Sequence, residues 1–339
     1  MAKKEISVAL LGAAGAVGRA VLDVLVDRDV PLAFVRPLGR AAGAEVDLGG
    51  ETLKVLEVKD GAFRGCDVAI LAAGAEAARA WAPKARAEGC AVVDVSPAFR
   101  ADPEVPLVVT ELNPQALAGW RTRGIVASPG AAAVGLATLL GPIARAAGLR
   151  RVHAVALESA SGAGMLGIRQ LEREAHDLMN GVEPEPIGGI VHRLAFNVVP
   201  QVGTPLDGGV TEEERDTVSE LRRLLGAPDL RATMVAVRVP VFYGHCLSVN
   251  VATDRKLSPE EVRGLLRGAP GVKVVDALAE GVYPMPMLAV ADDSLFVGRI
   301  REDATQENGL ELFAALDNLR RGAAANAVRI AEALRDGGF

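Results

Sequence analysis

The chain has 339 residues, with 37 Lys+Arg against 43 Asp+Glu and a net charge of −6. That balance argues against the basic face of a nucleic-acid binder, and a chain that is half hydrophobic is neither disordered nor collagen-like. Three cysteines (Cys66, Cys90, Cys246) without a Cys-x-x-Cys exclude a disulfide scaffold and suit a reducing, cytoplasmic setting; four scattered histidines (His153, His176, His192, His245) give no metal spacing, so no metal is expected.

Two domains are expected at this length. The start places charges before an apolar stretch, as a signal peptide does, but glycine-rich turn chemistry follows at once, so no targeting segment is expected. Ile6–Leu11 reads as a central parallel strand, and Val17–Asp27 carries apolar residues at helical spacing. Leu32–Leu38, Val68–Ala72 and Ala91–Val95 read as further strands, with an alanine-rich helix over Glu76–Glu88. This alternation predicts a doubly wound parallel sheet. Gly124–Ala144 is uncharged, but Pro129, Pro142 and four glycines make it a poor membrane helix. A buried strand, a turn and the start of a buried helix are expected there, and no membrane contact.

The pattern changes near residue 150. Val152–Ser159, Met234–Pro240 and Leu247–Ala252 read as strands, and Gly167–Asn180 and Thr211–Leu225 as charged helices. Their irregular order predicts an α+β second domain. Pro184–Gly189 reads as an exposed loop. Leu319–Leu334 closes the chain as a helix with Ala323, Ala327, Ile330, Ala331 and Leu334 on one face.

Gly12, Ala14, Gly15, Ala16, Val17 and Gly18 lie in a turn that follows a strand and opens a helix. Glycines there let backbone N–H groups approach a pyrophosphate, and the helix N-terminus favours its charge. The spacing is GxxGxxG rather than GxGxxG, so a tight turn without a ligand is the plainer alternative. At the end of the second strand an NAD site usually has an acid. Arg36 and Arg40 stand there instead, which suits the 2′-phosphate of NADP or, more simply, solvent.

Several segments together resemble the aspartate-semialdehyde dehydrogenase family: GAAGAVG at 12–18, SPAFR at 96–100, VPLVVTELNP at 105–114 and SGAG at 161–164. AFNVVPQV at 195–202, VRVPVFYGH at 237–245, VGRIR at 297–301 and DNLRRGAAANAV at 317–328 continue it in the same order. The resemblance implies an α/β fold: an NADP-binding Rossmann domain over 1–133, completed by the C-terminal segment 313–339, and an α+β substrate-binding and dimerisation domain over 134–312. It implies NADP as cofactor, a small carboxylate or phosphate ligand and a homodimer.

Members of the family reductively dephosphorylate aspartyl phosphate. In reverse, a cysteine thiolate attacks the semialdehyde, hydride leaves to NADP and phosphate releases the acyl group. The segment matching their Asn-Pro-Asn-Cys-Ser-Thr is Ser128-Pro129-Gly130-Ala131-Ala132-Ala133, so the nucleophile position is Ala131 and the neighbouring asparagine is Gly130. The family glutamine three residues before SGAG is Glu158. Other positions match: Arg238 for the substrate carboxylate, His245 as acid/base, Glu220 for the substrate ammonium, Arg100 for phosphate, and Asn318 with Ser161 and Gly162 on the cofactor side. Arg223 replaces a phosphate-binding lysine. Leu38 and Ala41 replace the serines that flank the NADP arginine, leaving Arg40 to bind alone.

Plainer readings stand beside these. As alternatives, Arg238 reads as a strand-edge charge, His245 as a core histidine, Glu220 and Arg223 as an ion pair on one helix face, and SGAG as a turn. Cys246 follows His245, and adjacent strand residues face opposite ways, so it is expected to point away from the site. Ser128, Ser159 and Ser161 have no base assigned by spacing. The departures resemble the family's Usg-type paralogues, and a chain without phosphorylating dehydrogenase activity is expected. The alternatives are an active aspartate-semialdehyde dehydrogenase of amino-acid biosynthesis, an NADP-dependent carbonyl reductase with His245 as proton donor, or a regulatory subunit.

Overall fold

The computed structural model describes residues 5–185 and 190–337, so the expected loop over 184–189 lies largely outside the described residues. The chain divides into two compact units: residues 1–130 with 322–339, and residues 131–321.

The first unit is built on a parallel sheet. Its strands are β1 (Ile6–Leu11), β2 (Leu32–Gly39), β5 (Leu56–Glu57), β6 (Val68–Leu71), β7 (Ala91–Asp94) and β8 (Ile125–Ala127), in the order β5-β2-β1-β6-β7-β8. β1 and β6 are buried along their whole length, as apolar runs covered on both faces should be. Helix α1 (Ala16–Asp27) buries Val21, Leu22, Val24 and Leu25 in the same cluster as Ala327, Val328, Ile330, Ala331 and Leu334 of α8 (Ala325–Asp336). Fully burying a side chain of this kind contributes about 1.5–3 kcal/mol. Helix α2 (Ala75–Ala87) buries Ala78, Ala82 and Ala85. A hairpin of β3 (Glu45–Leu48) and β4 (Glu51–Lys54) was not expected; it turns on Gly49 and Gly50, whose φ values of 62° and 93° only glycine adopts easily.

The second unit carries a mixed sheet. Its strands are β9 (Arg151–Glu158), β10 (Arg231–Arg238), β11 (His245–Ala252), β12 (Val272–Val274), β13 (Leu295–Glu302) and β14 (Gly309–Leu316), in the order β10-β9-β11-β14-β13-β12. β10 runs parallel to β9, and β11 antiparallel to both β9 and β14. The uncharged run around residue 131 becomes β8 followed by α3 (Ala131–Ala147), a helix buried along most of its length. Gly135 lets it lie close to the sheet: a Cβ there would come within 2.7 Å of Leu247 Cδ1. Among the described residues no helix is long and apolar enough to cross a membrane. The remaining helices are α4 (Gly164–Met179), α5 (Glu212–Leu225), α6 (Pro259–Arg267) and the single turn α7 (Pro286–Ala289). Capping boxes start α5 at Thr211 and α6 at Ser258.

Two boundaries differ from the sequence reading. Residues 313–316, expected with the first domain, are the end of β14 and pair with β11 and β13. The closing α-helix, expected from Leu319, starts at Ala325 after a π-helical turn over Arg320–Ala324.

Candidate active site

Strand pairing in the second unit collects side chains that lie far apart in the chain. Arg238 pairs with Glu158 and Cys246 with Leu157, so Glu158, Arg238 and His245 share one end of three adjacent strands. All three are buried. Arg238 Nη1 donates to Glu158 Oε2 at 3.1 Å and to the Ser159 carbonyl at 2.8 Å. His245 Nε2 is 3.7 Å from the same carboxylate oxygen, beyond hydrogen-bonding range. Glu158 Oε1 is sealed and has no hydrogen-bond partner among the described residues.

The orientation of His245 is set by its other nitrogen. Nδ1 accepts the Ser159 backbone N–H at 3.2 Å, and the Ser159 hydroxyl lies 3.1 Å away. A backbone amide only donates, so Nδ1 is the acceptor and the ring proton sits on Nε2. Burial, helped by the charge of Arg238, pushes the imidazole down to about 3. The ring is therefore neutral and offers Nε2–H as a donor. Asn318 Oδ1 accepts from Ser159 Oγ at 3.2 Å, Ser161 Oγ at 3.0 Å and the Gly244 N–H at 3.1 Å. Gly162 lies against both donors: a Cβ there would run into Arg238 Nη1 and approach His245 Nε2 to 3.1 Å.

Opposing influences act on Glu158. Burial raises its pKa and the charge of Glu213 adds to the rise, while Arg238 opposes both. The net shift is upward, because the guanidinium reaches only one of the two carboxylate oxygens.

The structure thus brings Glu158, Ser161, Gly162, Arg238, His245 and Asn318 together. Ser159 joins them; spacing along the chain gave it no base, because its imidazole neighbour is 86 residues away and arrives only through the β9–β11 pairing. Ala131 is the first residue of α3. Glu220 is buried on α5, with Arg223 half-buried three residues on.

The remaining sequence candidates belong to the first unit. Arg100 Nε donates to the Ser128 carbonyl at 3.0 Å and its Nη2 to the Val95 carbonyl at 2.8 Å. Gly12 and Ala13 both donate to the Leu38 carbonyl, and Gly15 donates back to Gly12 O at 2.9 Å. Gly12 has φ 90°, and a Cβ on it would meet Ala72 O at 2.6 Å. A Cβ on Gly18 would collide with Gly12 O. Helix α1 starts at Ala16 behind Gly15, without a side-chain cap and without an acid in its first turn. Its first N–H groups, with Ala14 and Val17 in the same turn, suit an anion. Arg36 Nη1 serves the carbonyls of Ala62 and Arg64, whereas Arg40 is exposed just past β2.

The cysteines lie elsewhere. Cys246 faces away from His245, lining a 720 Å³ cavity on the other face of the second sheet with Ser248 and Asn250. Burial pushes its thiol up to about 12. Cys66 and Cys90 precede β6 and β7, at the opposite end of the parallel sheet from the glycine turn; burial raises both thiols, that of Cys90 to about 12.

Comparison with known proteins follows these two units. The semialdehyde dehydrogenase NAD binding domain matches residues 7–120, and the semialdehyde dehydrogenase dimerisation domain matches residues 140–321. Aspartate-semialdehyde dehydrogenase of Aquifex aeolicus is 38% identical over 331 residues, which is 96% of this chain and 97% of that protein. The Bacillus subtilis protein of the same name is 37% identical over 341 residues, 98% of each. The crystal structure of aspartate semialdehyde dehydrogenase II from Vibrio cholerae, also determined in complex with ASA, superposes with a TM-score of 0.95 at 35% identity, covering 99% of this chain and all of that one. With a parallel NAD-binding unit, a mixed-sheet dimerisation unit and these relatives over nearly its whole length, the chain belongs to the semialdehyde dehydrogenase family as an aspartate-semialdehyde dehydrogenase-like oxidoreductase.

Proposed function

We propose that this oxidoreductase binds NADP and a small carboxylate-bearing ligand but does not carry out phosphate-dependent oxidation of aspartate semialdehyde. The observation that carries this reading is Ala131, at the start of α3 where the resemblance places the thiolate. Alanine has neither a lone pair nor an ionisable proton, and the thioester route needs both. No other thiol stands in for it. Cys246 is on the wrong face of its strand, and Cys66 and Cys90 sit at the far end of the first sheet with thiols held protonated.

The glycine turn suits a dinucleotide: helix α1 starts behind it without a side-chain cap, and a Cβ on Gly12 or Gly18 would force the turn out of shape. Gly12–Gly18 would hold the pyrophosphate and Arg40 the 2′-phosphate; the cofactor would supply the hydride carrier. In the second unit Arg238 would anchor the ligand's carboxylate and His245 Nε2–H would polarise its carbonyl, held in place by Ser159 and Asn318. Glu220 and Arg223 would complete ligand binding in that unit; the roles the resemblance gives Arg100, Ser161 and Gly162 belong to the same reading. We assign the chain to a homodimer in the cytoplasm, on the match to a dimerisation domain and on three unpaired, buried cysteines.

The test is steady-state NADPH formation from semialdehyde and phosphate, beside a relative such as the Aquifex aeolicus enzyme. No turnover above background is expected. Ala131→Cys alone should recover little, because a carboxylate at 158 opposes thiolate formation nearby; Ala131→Cys with Gly130→Asn and Glu158→Gln should recover more. Robust turnover by the unaltered protein would overturn the reading.

A further inference from the structure

Glu158 is a carboxylate already seated on the guanidinium that the proposed ligand needs. The pair is incomplete on both sides. Arg238 engages it through Nη1 alone, and among the described residues its Nε and Nη2 donate to no protein group. That side chain keeps 11% of its exposure, against 5% for Glu158. Glu158 in turn leaves Oε1 sealed and without a donor. A carboxylate held by one hydrogen bond, with its other oxygen dry, is poorly solvated as an anion and much less penalised as a neutral acid. Gly162 places no side chain against Arg238 or against His245 Nε2, where a Cβ would come within 3.1 Å.

We propose that Glu158 is an internal counter-ion which a ligand's carboxylate displaces from Arg238, Glu158 being left behind as the neutral acid, so that each anion bound at this site takes up one proton. The inference rests on the reading of Arg238 as the ligand's anchor. No covalent bond forms or breaks. The proton comes from solvent, ends on the Glu158 carboxyl, and keeps the buried charge balanced at one cation and one anion. The charged or titratable groups facing Glu158 are Arg238 from β10, the neutral His245 from β11 and Glu213 from α5. Burial and Glu213 already favour the protonated form, and a second anion on Arg238 favours it further. His245 adds no proton in the neutral to alkaline range, since burial holds it near 3. The ligand class that follows is a small carbonyl compound bearing a carboxylate. Glu158 then stands as a neutral acid 3.7 Å from His245 Nε2, the hydrogen-bond donor proposed for that carbonyl.

The experiment needs neither cofactor nor turnover. Succinate is titrated calorimetrically into the protein from about pH 6 to about pH 10, in buffers of different ionisation heat, so that protons are counted directly. For the unaltered protein the Kd should rise towards tenfold per pH unit on the alkaline side, with about one proton taken up per succinate. Glu158→Gln, close in shape, should bind succinate with a pH-independent Kd and take up no proton. Glu158→Ala should show the same flat profile, which guards against a packing artefact of either variant. A flat profile without proton uptake in the unaltered protein overturns the inference, as does uptake that persists in Glu158→Gln, or an absence of succinate binding to all three proteins. Phosphorylating turnover would refute the proposed function and leave the proton count standing.

Discussion

The glycine turn after β1 and the charged cluster at the ends of β9, β10 and β11 act through different atoms. In the turn, the backbone carries the geometry and the side chains are chosen for what they lack: Gly12 and Gly18 are held by contacts to backbone atoms that leave no room for a Cβ. In the cluster, the backbone only delivers side chains, and each side chain sets the chemistry. A backbone site keeps its function through wide substitution, provided the glycines remain. A side-chain site changes its chemistry with each replacement, which is the ground on which Ala131 and Glu158 enter the proposed function.

The sharpest way to press that difference is Arg238→Met. It leaves Glu158 buried without a cation, and breaking a buried pair in this way costs about 3–5 kcal/mol. The sign with pH follows from the raised carboxyl: its stabilising contribution is present below the unfolded value and is lost as pH rises through the folded one. Denaturant unfolding of Arg238→Met should therefore show a larger deficit at about pH 9 than at about pH 5. Adding Glu158→Gln should remove most of the difference. A pH-independent deficit would mean that Glu158 is not the group responsible.

Gly18→Ala tests the backbone site. One methyl group against Gly12 O forces the turn to shift, at a cost of about 1–3 kcal/mol. Dinucleotide binding should fall by at least about tenfold, corresponding to one lost hydrogen bond to a charged group. Urea midpoints and a fluorescence titration with NADPH read the two effects; a protein that keeps both would show that the turn is not held by its glycines.

Arg40→Gln is the smallest change. Arg40 is exposed, so stability should move by no more than about 0.5 kcal/mol. The NADP Kd should weaken by about tenfold with the NAD Kd unaltered, since only the 2′-phosphate loses a partner. Equal weakening for both would place the arginine away from that phosphate.

Local pattern went a long way in this chain. Ile6–Leu11 was legible as a buried strand, because a continuous apolar run bounded by glycine has few other solutions in water. The Gly12–Gly18 turn and the helix after it follow from the same few residues. The uncharged run around residue 131 was legible as a strand and a buried helix, because two prolines and four glycines speak against a lipid-facing span. The β3–β4 hairpin carried a readable Gly49-Gly50 signal between alternating residues that went unread. The opposed facing of His245 and Cys246 needed only the two-residue period of a strand.

The convergence of Glu158, Ser159, Arg238, His245 and Asn318 was decided by tertiary structure alone. Family resemblance named four of these five residues, but not what they do to one another. That Ser159 N–H fixes the tautomer of His245, that Arg238 spends one nitrogen on Glu158, and that Asn318 gathers two serine hydroxyls depend on which strands become neighbours and in what register. Strand pairing joins residues tens of positions apart through backbone hydrogen bonds that every residue type can make. No local pattern encodes it, and only the packed sheet selects one register from the many that the chain could form.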